Sequence, residues 1–538
     1  MNDEQAVVYQ ASLNRSDLVK LLIALFLFAA IICPLAAMLM NISAGDISGV
    51  IKLPRFKEAL FNSITVTVCA TLISVVLAWS FALCTVRSRM SHRDLFSIYV
   101  TLPMLIPSIS HGIGLILLFG VNGIITRLFG LSGSIYGFHG IVLGSALYSF
   151  PVAFLMFSDI LKYEDGSPYE AAEVLGIPRK NQFFPITFPY LRKPLISVIF
   201  AVFTLIFTDY GVPLMIGGRY ITLPVLMYQE VIGLLNFNRG SVIGSFLLIP
   251  AVLAFIFDAL NRDRANQNFI VPERQKDENK LRDIAAALYV ILICVILTLP
   301  VLVFTVLSFI NSYPVDMSLS FRNISKTMNM GAGQYLLNSL IISFLVAAVG
   351  TLISWLTAYF TARTPGKTSR MLHLISITSL AIPGMVLGLS YVIFFKGTFV
   401  YGTIAVLVLV NTIHFMASPY LMAYNSLGKI NINLENVGRT LGIGRFYIIR
   451  DVFVPQTRTT ILEMLSYFFV NSMMTISAVS FLSTVRNRPL SLMINQFEAQ
   501  LFIEGAAFVS ILILCCNVSV KCVVYAAAKI IKNQTNRV

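Results

Sequence analysis

Few residues in this chain could do chemistry, and they are scattered. Asp209 lies well inside an apolar run, FAVFTLIFTDYGVPL, where burying a charge is costly enough to make an ionisable side chain a functional candidate. There it could attract a cationic or zwitterionic solute, or pair with a neighbouring helix. Asn471, His111, His414, Asn411 and Glu463 also fall in apolar runs, where such groups commonly hydrogen-bond one helix to another. Asn471 joins Asp209 as a candidate for lining a solute path. His92, His139 and His373 sit near the ends of apolar runs, and the five histidines show no metal-ligand spacing. The seven cysteines form no CxxC pair and fall in or beside apolar runs, where they act as small apolar residues. A phosphate-cradling loop needs a glycine five positions before Gly366-Lys367-Thr368, and Thr361 stands there instead. No cluster of acids, bases or nucleophiles emerges. The chain is expected to catalyse no covalent reaction and to hold no cofactor or metal of its own.

The elements that must carry these residues are membrane helices. The 538 residues are 57% hydrophobic and 12% charged, against about 25% charged for an ordinary soluble domain. Twelve apolar runs lie near 18–40, 60–86, 95–120, 141–161, 195–217, 241–260, 284–311, 337–362, 371–395, 403–425, 459–482 and 504–528. Each is about long enough to cross a bilayer, so the expected fold is an all-α polytopic membrane protein with twelve transmembrane helices. The net charge of +14 would suggest nucleic acid in a soluble protein. Here, with the N-terminus placed inside, inward loops hold more than twice the Lys and Arg of outward loops. That bias sets both termini in the cytoplasm and removes the nucleic-acid reading. The polar lead before the first run ends in no small-residue cleavage site, so this run reads as a retained anchor.

The only long polar interruption, Asn261–Asp283, falls at the midpoint, and the sequence repeats across it. Asn62-Ser63 recurs as Asn338-Ser339, and the same separation relates Trp79 to Trp355, Pro107 to Pro383 and Gly112 to Gly388. A slightly shorter separation relates Pro151 to Pro419, Leu175-Gly176-Ile177 to Leu441-Gly442-Ile443, Pro189 to Pro455 and Phe203 to Phe469. An ordered series with a drifting offset marks a tandem duplication. Residues 1–260 form a first six-helix module, 261–283 a cytoplasmic linker and 284–538 a second module. An even number of crossings per module makes the repeat parallel, as expected around a central path.

Two inward loops are far longer than the rest and hold the same place in each half. The first, SPYEAAEVLGIPRKNQFFPITFPYLRKP from Ser167, reads as a short helix with Ser167 able to cap it, Pro168 in its first turn and Glu170 near its positive end. Gly176 and Pro178 end it, and an apolar stretch through Phe183, Phe184 and Ile186 leads to Pro189. A duplicated helical knob of this kind suits docking to a two-fold partner.

Glu170-Ala171-Ala172, then Gly176, Ile186 and Phe188-Pro189, resembles the EAA motif of binding-protein-dependent ABC importer permeases. The usual Leu before the last proline is Phe188 here. The second copy, LENVGRTLGIGRFYIIRDVFVP, keeps Gly442 and Pro455 but has Asn436-Val437-Gly438 in place of EAA, with Glu435 one position earlier. The resemblance covers nearly the whole chain, each half looking like one permease module of a fused pair. It implies that each knob seats in an ATP-hydrolysing subunit, so that Glu170–Gly176 and Glu435–Gly442 carry motion into the membrane. It further implies two copies of an ABC ATPase, which binds the ATP, one periplasmic or lipid-anchored binding protein, and a place in the bacterial cytoplasmic membrane among its lipids. The stretch Phe207–Asp258 looks most like permeases assigned to 2-aminoethylphosphonate uptake, with those for ferric iron and polyamines next. The rival is an ion-coupled secondary transporter with parallel halves. It should carry paired intramembrane charges, yet the residue matching Asp209 in the second half is Thr475.

Overall fold

The computed structural model describes residues 18–90, 93–130, 133–178, 181–261, 279–364 and 366–535. The polar lead, most of the charged linker, Arg179-Lys180 of the first knob and His92 lie outside the described residues. The first half is built from α1 (Leu18–Met40), α2 (Pro54–Arg87), α3 (Ser108–Phe119), α4 (Phe138–Lys162), α5 (Ser167–Val174), α6 (Phe188–Phe207), α7 (Gly211–Ile216) and α8 (Phe237–Asn261). The second half follows with α9 (Lys280–Leu307), α10 (Gly333–Arg363), α11 (Gly384–Phe395), α12 (Ile404–Phe415), α13 (Ala417–Gly428), α14 (Leu434–Thr440), α15 (Arg458–Met474) and α16 (Ile503–Thr535). Among the described residues, one short antiparallel hairpin, Ile310–Ser312 with Asp316–Leu319, interrupts the helices.

Among the described residues, eight helices are long and apolar enough to cross a membrane, or up to ten if each of two bent pairs counts as one span. Helix length and composition thus account for eight to ten of the twelve expected crossings. Proline is the main reason for the difference, since it lacks an N–H and pushes the residue before it out of helical geometry. In the run at 95–120, Pro103 enters a tight 3-10 turn and Pro107 stands in extended geometry before α3. In the repeat, Lys367–Ala381 and α11 meet at 110° across Pro383. The runs at 195–217 and 459–482 also break, the helices ending at Phe207 and Met474 before irregular chain.

The matched residues do matched work. Asn62 Nδ2 donates to the carbonyl of Ile221 at 3.0 Å, and Ser63 Oγ accepts the Leu223 N–H at 2.7 Å. Asn338 Nδ2 donates to the carbonyls of Arg486 and Arg488 at 3.0 and 3.2 Å, and Ser339 Oγ accepts the Leu490 N–H at 2.7 Å. In each half this pair staples the long second helix to the irregular segment before the last one, satisfying backbone groups that would otherwise be buried unpaired. Gly112 and Gly388 are also alike: a Cβ on Gly112 would lie 2.7 Å from Met215 Cβ, and one on Gly388 2.6 Å from the Ala478 carbonyl.

The halves interlock. α1 packs on α11 of the other half, where Tyr391 donates to the Ala30 carbonyl at 2.7 Å. α9 packs on α2 and α3, with Tyr289 Oη 2.6 Å from Ser80 Oγ. Deeper in, Ser110 and Ser510 hydroxyls lie 2.8 Å apart, and Asn517 Nδ2 donates to the Leu105 carbonyl at 2.8 Å.

Candidate functional site

Two features stand out once these elements are assembled: a pair of knobs at one end and a cavity between the halves. The first knob begins at α5. Ser167 does not cap it; its own N–H is taken by the Asp165 carboxylate at 2.9 Å, while Pro168 and Glu170 do lie in the first turn. The helix ends with the Ile177 N–H on the Ala172 carbonyl at 2.9 Å and Gly176 at φ +70°. The second knob, α14, ends the same way, with the Ile443 N–H on the Gly438 carbonyl at 2.8 Å and Gly442 at φ +68°. This is the left-handed close that glycine makes readily. At Gly176 a side chain would meet nothing within 4 Å. The glycine there is required by backbone conformation rather than by lack of space.

Ala172 is buried beneath the first knob, while Glu170 and Ala171 are exposed, as are Val174 and Leu175. Val437, Leu441, Ile443, Phe446 and Tyr447 are exposed apolar residues of the second. Ile186 lies in a π turn, Phe183–Thr187, that runs straight into α6 with Pro189 in its first turn. Ile449–Phe453 is the matching π turn of the second half, with Pro455 just beyond it. Gly438 stands where the first knob has Ala172, and a Cβ there would lie 2.3 Å from Ile448 Cδ1.

Each knob is moored to the end of its half's second helix by an arginine that the sequence analysis passed over. Arg87 Nη2 donates to Glu164 Oε2 at 2.7 Å. Tyr169 Oη donates to Glu164 Oε1 at 2.5 Å and lies 2.7 Å from Thr187 Oγ1. Burial, and then the bond to Glu164, push the Tyr169 phenol above its ordinary range, so it remains a donor. In the second half Arg363 binds Glu435 through Nε at 2.6 Å and again through Nη2, and donates to the carbonyls of Ile430 at 2.7 Å and Asn431 at 2.9 Å. Its guanidinium also lies 5.0 Å from the Phe453 ring. The signal was available: Arg87 and Arg363 keep the separation of the two tryptophans.

The cavity holds about 700 Å³ and is lined from both halves, by Ser108, Tyr148 and Asp209 on one side and His414, Tyr467 and Asn471 on the other. It thus brings together both residues proposed for a solute path. Asp209 follows the end of α6 and binds the start of α7, accepting the Val212 N–H at 3.1 Å, the Gly211 N–H at 3.3 Å and the Ser108 hydroxyl at 2.6 Å. Asn471 donates to the Tyr467 carbonyl one turn back at 2.8 Å. Toward the knobs the lining reaches Met156 and Leu421. On the far side Tyr210 stacks on Tyr228 at 5.3 Å, lies 3.1 Å from Ser480 Oγ and accepts from Asn495 at 3.2 Å, tying the halves together.

A paired substitution that sequence reading missed keeps the cavity walls close. Ser108 fits against Gly211, where a Cβ would lie 2.3 Å from the serine Oγ; in the second half Ser477 fits against Gly384, where a Cβ would lie 2.4 Å from that Oγ. Serine and glycine have changed places between repeats. Apart from His414, the other candidates stand elsewhere. His111 is buried with Nε2 3.1 Å from the Pro103 carbonyl, His373 Nδ1 lies 2.5 Å from Tyr420 Oη, and Asn411, His139 and Glu463 are not in the cavity lining. Among the described residues no group of three His, Cys, Asp or Glu could hold a metal ion.

A duplicated helical membrane bundle around a cavity shared by both halves, with a helical knob on each half, defines a transport permease. The chain belongs to the family of binding-protein-dependent transport system inner membrane components, whose profile it matches twice, over residues 74–304 and 350–532. It is 26% identical over 479 residues to the ferric transport system permease protein FbpB of Actinobacillus pleuropneumoniae, covering 85% of this chain and 69% of that one. It is 27% identical over 172 residues to the thiamine transport system permease protein ThiP of Brucella abortus, covering 30% of this chain and 32% of that protein. It is 25% identical over 232 residues to the spermidine/putrescine transport system permease protein PotC homolog of Mycoplasma genitalium, covering 42% of this chain and 75% of the relative. The chain is therefore a multi-pass inner-membrane permease that works with an ABC ATPase and a substrate-binding protein.

Proposed function

We propose that this single chain forms the whole transmembrane pathway of an ATP-driven importer, with one ATPase subunit on each knob and one binding protein on the opposite face. The observation that carries the reading is the pair of knobs, each closed by a left-handed glycine and each moored by an arginine to its half's second helix. Glu170, Ala171, Ala172, Gly176, Ile186 and Pro189 form the first coupling loop, and Glu435, Gly438, Gly442 and Pro455 belong to the second. The broken helices complete twelve crossings in two parallel sets of six, with both termini cytoplasmic. The cavity then opens toward the cytoplasm, and Tyr210 and its partners close the outer side. ATP shifts the balance between this arrangement and an outward-open one, because the ATPase grips the knobs differently in its two states. An ion-coupled carrier would need no such knobs.

For the solute, the names of the relatives bring ferric iron and polyamines ahead of 2-aminoethylphosphonate, and we place ferric iron or another small cation first. Affinity purification from native membranes in mild detergent, with subunits counted by intact mass, tests the assembly. Two ATPase copies are expected, and both should be lost when Gly176 and Gly442 are replaced by bulky residues. A chain that purifies alone, or that moves solute at full rate in liposomes without ATPase, sinks the proposal.

A further inference from the structure

We infer that the cavity between the halves is a resting site for a cationic solute, with the Asp209 carboxylate as its counter-charge. The inference rests on the importer reading and deepens it. The lining contains one carboxylate and, among the described residues, no Lys or Arg. An anion entering it would meet no compensating charge and a repelling one, whereas a cation would meet its partner in a setting of low dielectric. Asp209 is also accessible: it is only partly buried, its remaining surface facing the cavity. Three hydrogen bonds, from Ser108, Gly211 and Val212, hold the carboxylate in place.

The rest of the lining supplies uncharged acceptors and ring faces that suit a cation. Tyr148, Tyr467 and Phe415 present aromatic rings, and His414 has a ring nitrogen, Nδ1, without a hydrogen-bond partner. The volume, about 700 Å³, falls in the range of sites for small molecules. It admits either a metal cation with its coordinating waters or a compact organic ammonium. Duplication makes the asymmetry informative. The position that matches Asp209 is Thr475, which lines the same cavity, so the charge sits on one wall only. A solute held there can leave by one step away from that wall, as a transport site requires.

The test uses the whole importer, with its ATPases and binding protein, in liposomes. Uptake of ferric ion, putrescine and 2-aminoethylphosphonate is measured in parallel, together with the amount of ATPase that co-purifies. The wild type is expected to take up one of the two cations. Asp209→Asn should lower that uptake about tenfold or more while the same amount of ATPase co-purifies. Asp209→Asn combined with Thr475→Asp should recover a large part of it, because the charge returns to the same cavity from the other wall. Thr475→Lys, which leaves the three bonds to Asp209 untouched, should lower cation uptake to a similar extent. Unchanged uptake in Asp209→Asn overturns the inference, as does a wild type that carries only 2-aminoethylphosphonate or neither cation. Loss without rescue by Thr475→Asp assigns Asp209 to folding of α7 alone, and also overturns it. A wild type that binds no ATPase refutes the importer reading itself, and is scored separately.

Discussion

The two knobs solve one mechanical problem with different chemistry. In both, an arginine at the end of the long second helix grips the loop. Around Arg87 the partners are Glu164, Tyr169 and Thr187, linked hand to hand. By the repeat, those places hold Ile430, Glu435 and Phe453 in the second half. The carboxylate has moved from the residue before the knob onto the knob itself, and the ring has moved from the knob onto the π turn that follows. Arg363 consequently grips the loop directly, with two bonds to Glu435 and further bonds to backbone carbonyls, and its side chain is only 3% exposed. Arg87 is 26% exposed and reaches its knob through an intermediate, its Nε lacking a partner. The comparison teaches that the departure from EAA in the second copy is compensated nearby: Glu435 replaces Tyr169 as the residue that ties helix to arginine.

The largest effect should come from breaking the direct tie. Arg363→Ala leaves Glu435 and several carbonyls without their partner, and removing one member of such a buried pair costs about 3–5 kcal/mol. Lower thermal stability and loss of ATPase co-purification would register it. Arg87→Ala should cost less, about 1–3 kcal/mol, since Tyr169 still donates to Glu164; equal losses in the two variants would refute the distinction. The exchange itself can be tested by converting the first loop to the second type. Tyr169→Glu alone puts a second carboxylate beside Glu164 and should destabilise, whereas Tyr169→Glu with Glu164→Ile should recover most of that loss. If the double variant is worse than the single, the two arrangements are not interchangeable.

Smaller effects sharpen the same contrast. Gly438→Ala should cost about 1–2 kcal/mol by crowding Ile448, and Ile448→Val should relieve it, while the first knob already carries alanine there. Gly176→Ala and Gly442→Ala should each cost about 1 kcal/mol through the left-handed backbone, equally in the two knobs, as thermal unfolding would show. The smallest effect is on pH. With its value raised above the usual tyrosine range, Tyr169 contributes fully below about pH 10 and less as pH rises further. Tyr169→Phe should remove that alkaline dependence from the first knob.

Sequence alone reached the duplication because its markers serve the backbone. Asn62-Ser63, Pro107, Gly112 and Gly176 each meet a geometric need that recurs in the second half, so the residue type recurs too. It also reached Asp209 and Asn471, two of the residues that line the cavity, from their rarity in apolar runs. The moorings were harder to see. Arg87 and Arg363 match, but Glu164 and Glu435 stand at different places in their repeats, so a search for matched pairs passes over them. The serine–glycine exchange is hidden for the same reason, since each partner looks unrelated until Ser108 is seen against Gly211 and Ser477 against Gly384. Where proline divides an apolar run into pieces, hydropathy records the run and not the bend.

The interlocking of the halves has a consequence for how the chain is made. A nascent chain emerges from its N-terminal end, and domains form as their parts arrive. The faces of α2 and α3 that α9 covers, including Ser80, stay bare until residues beyond the linker have been synthesised. α1, made first, waits longer still for α11 and the Tyr391 hydroxyl that meets its Ala30 carbonyl. Neither half is a finished object when its own last helix is complete, and the linker acts as the leash that keeps the first half beside the helices it still lacks.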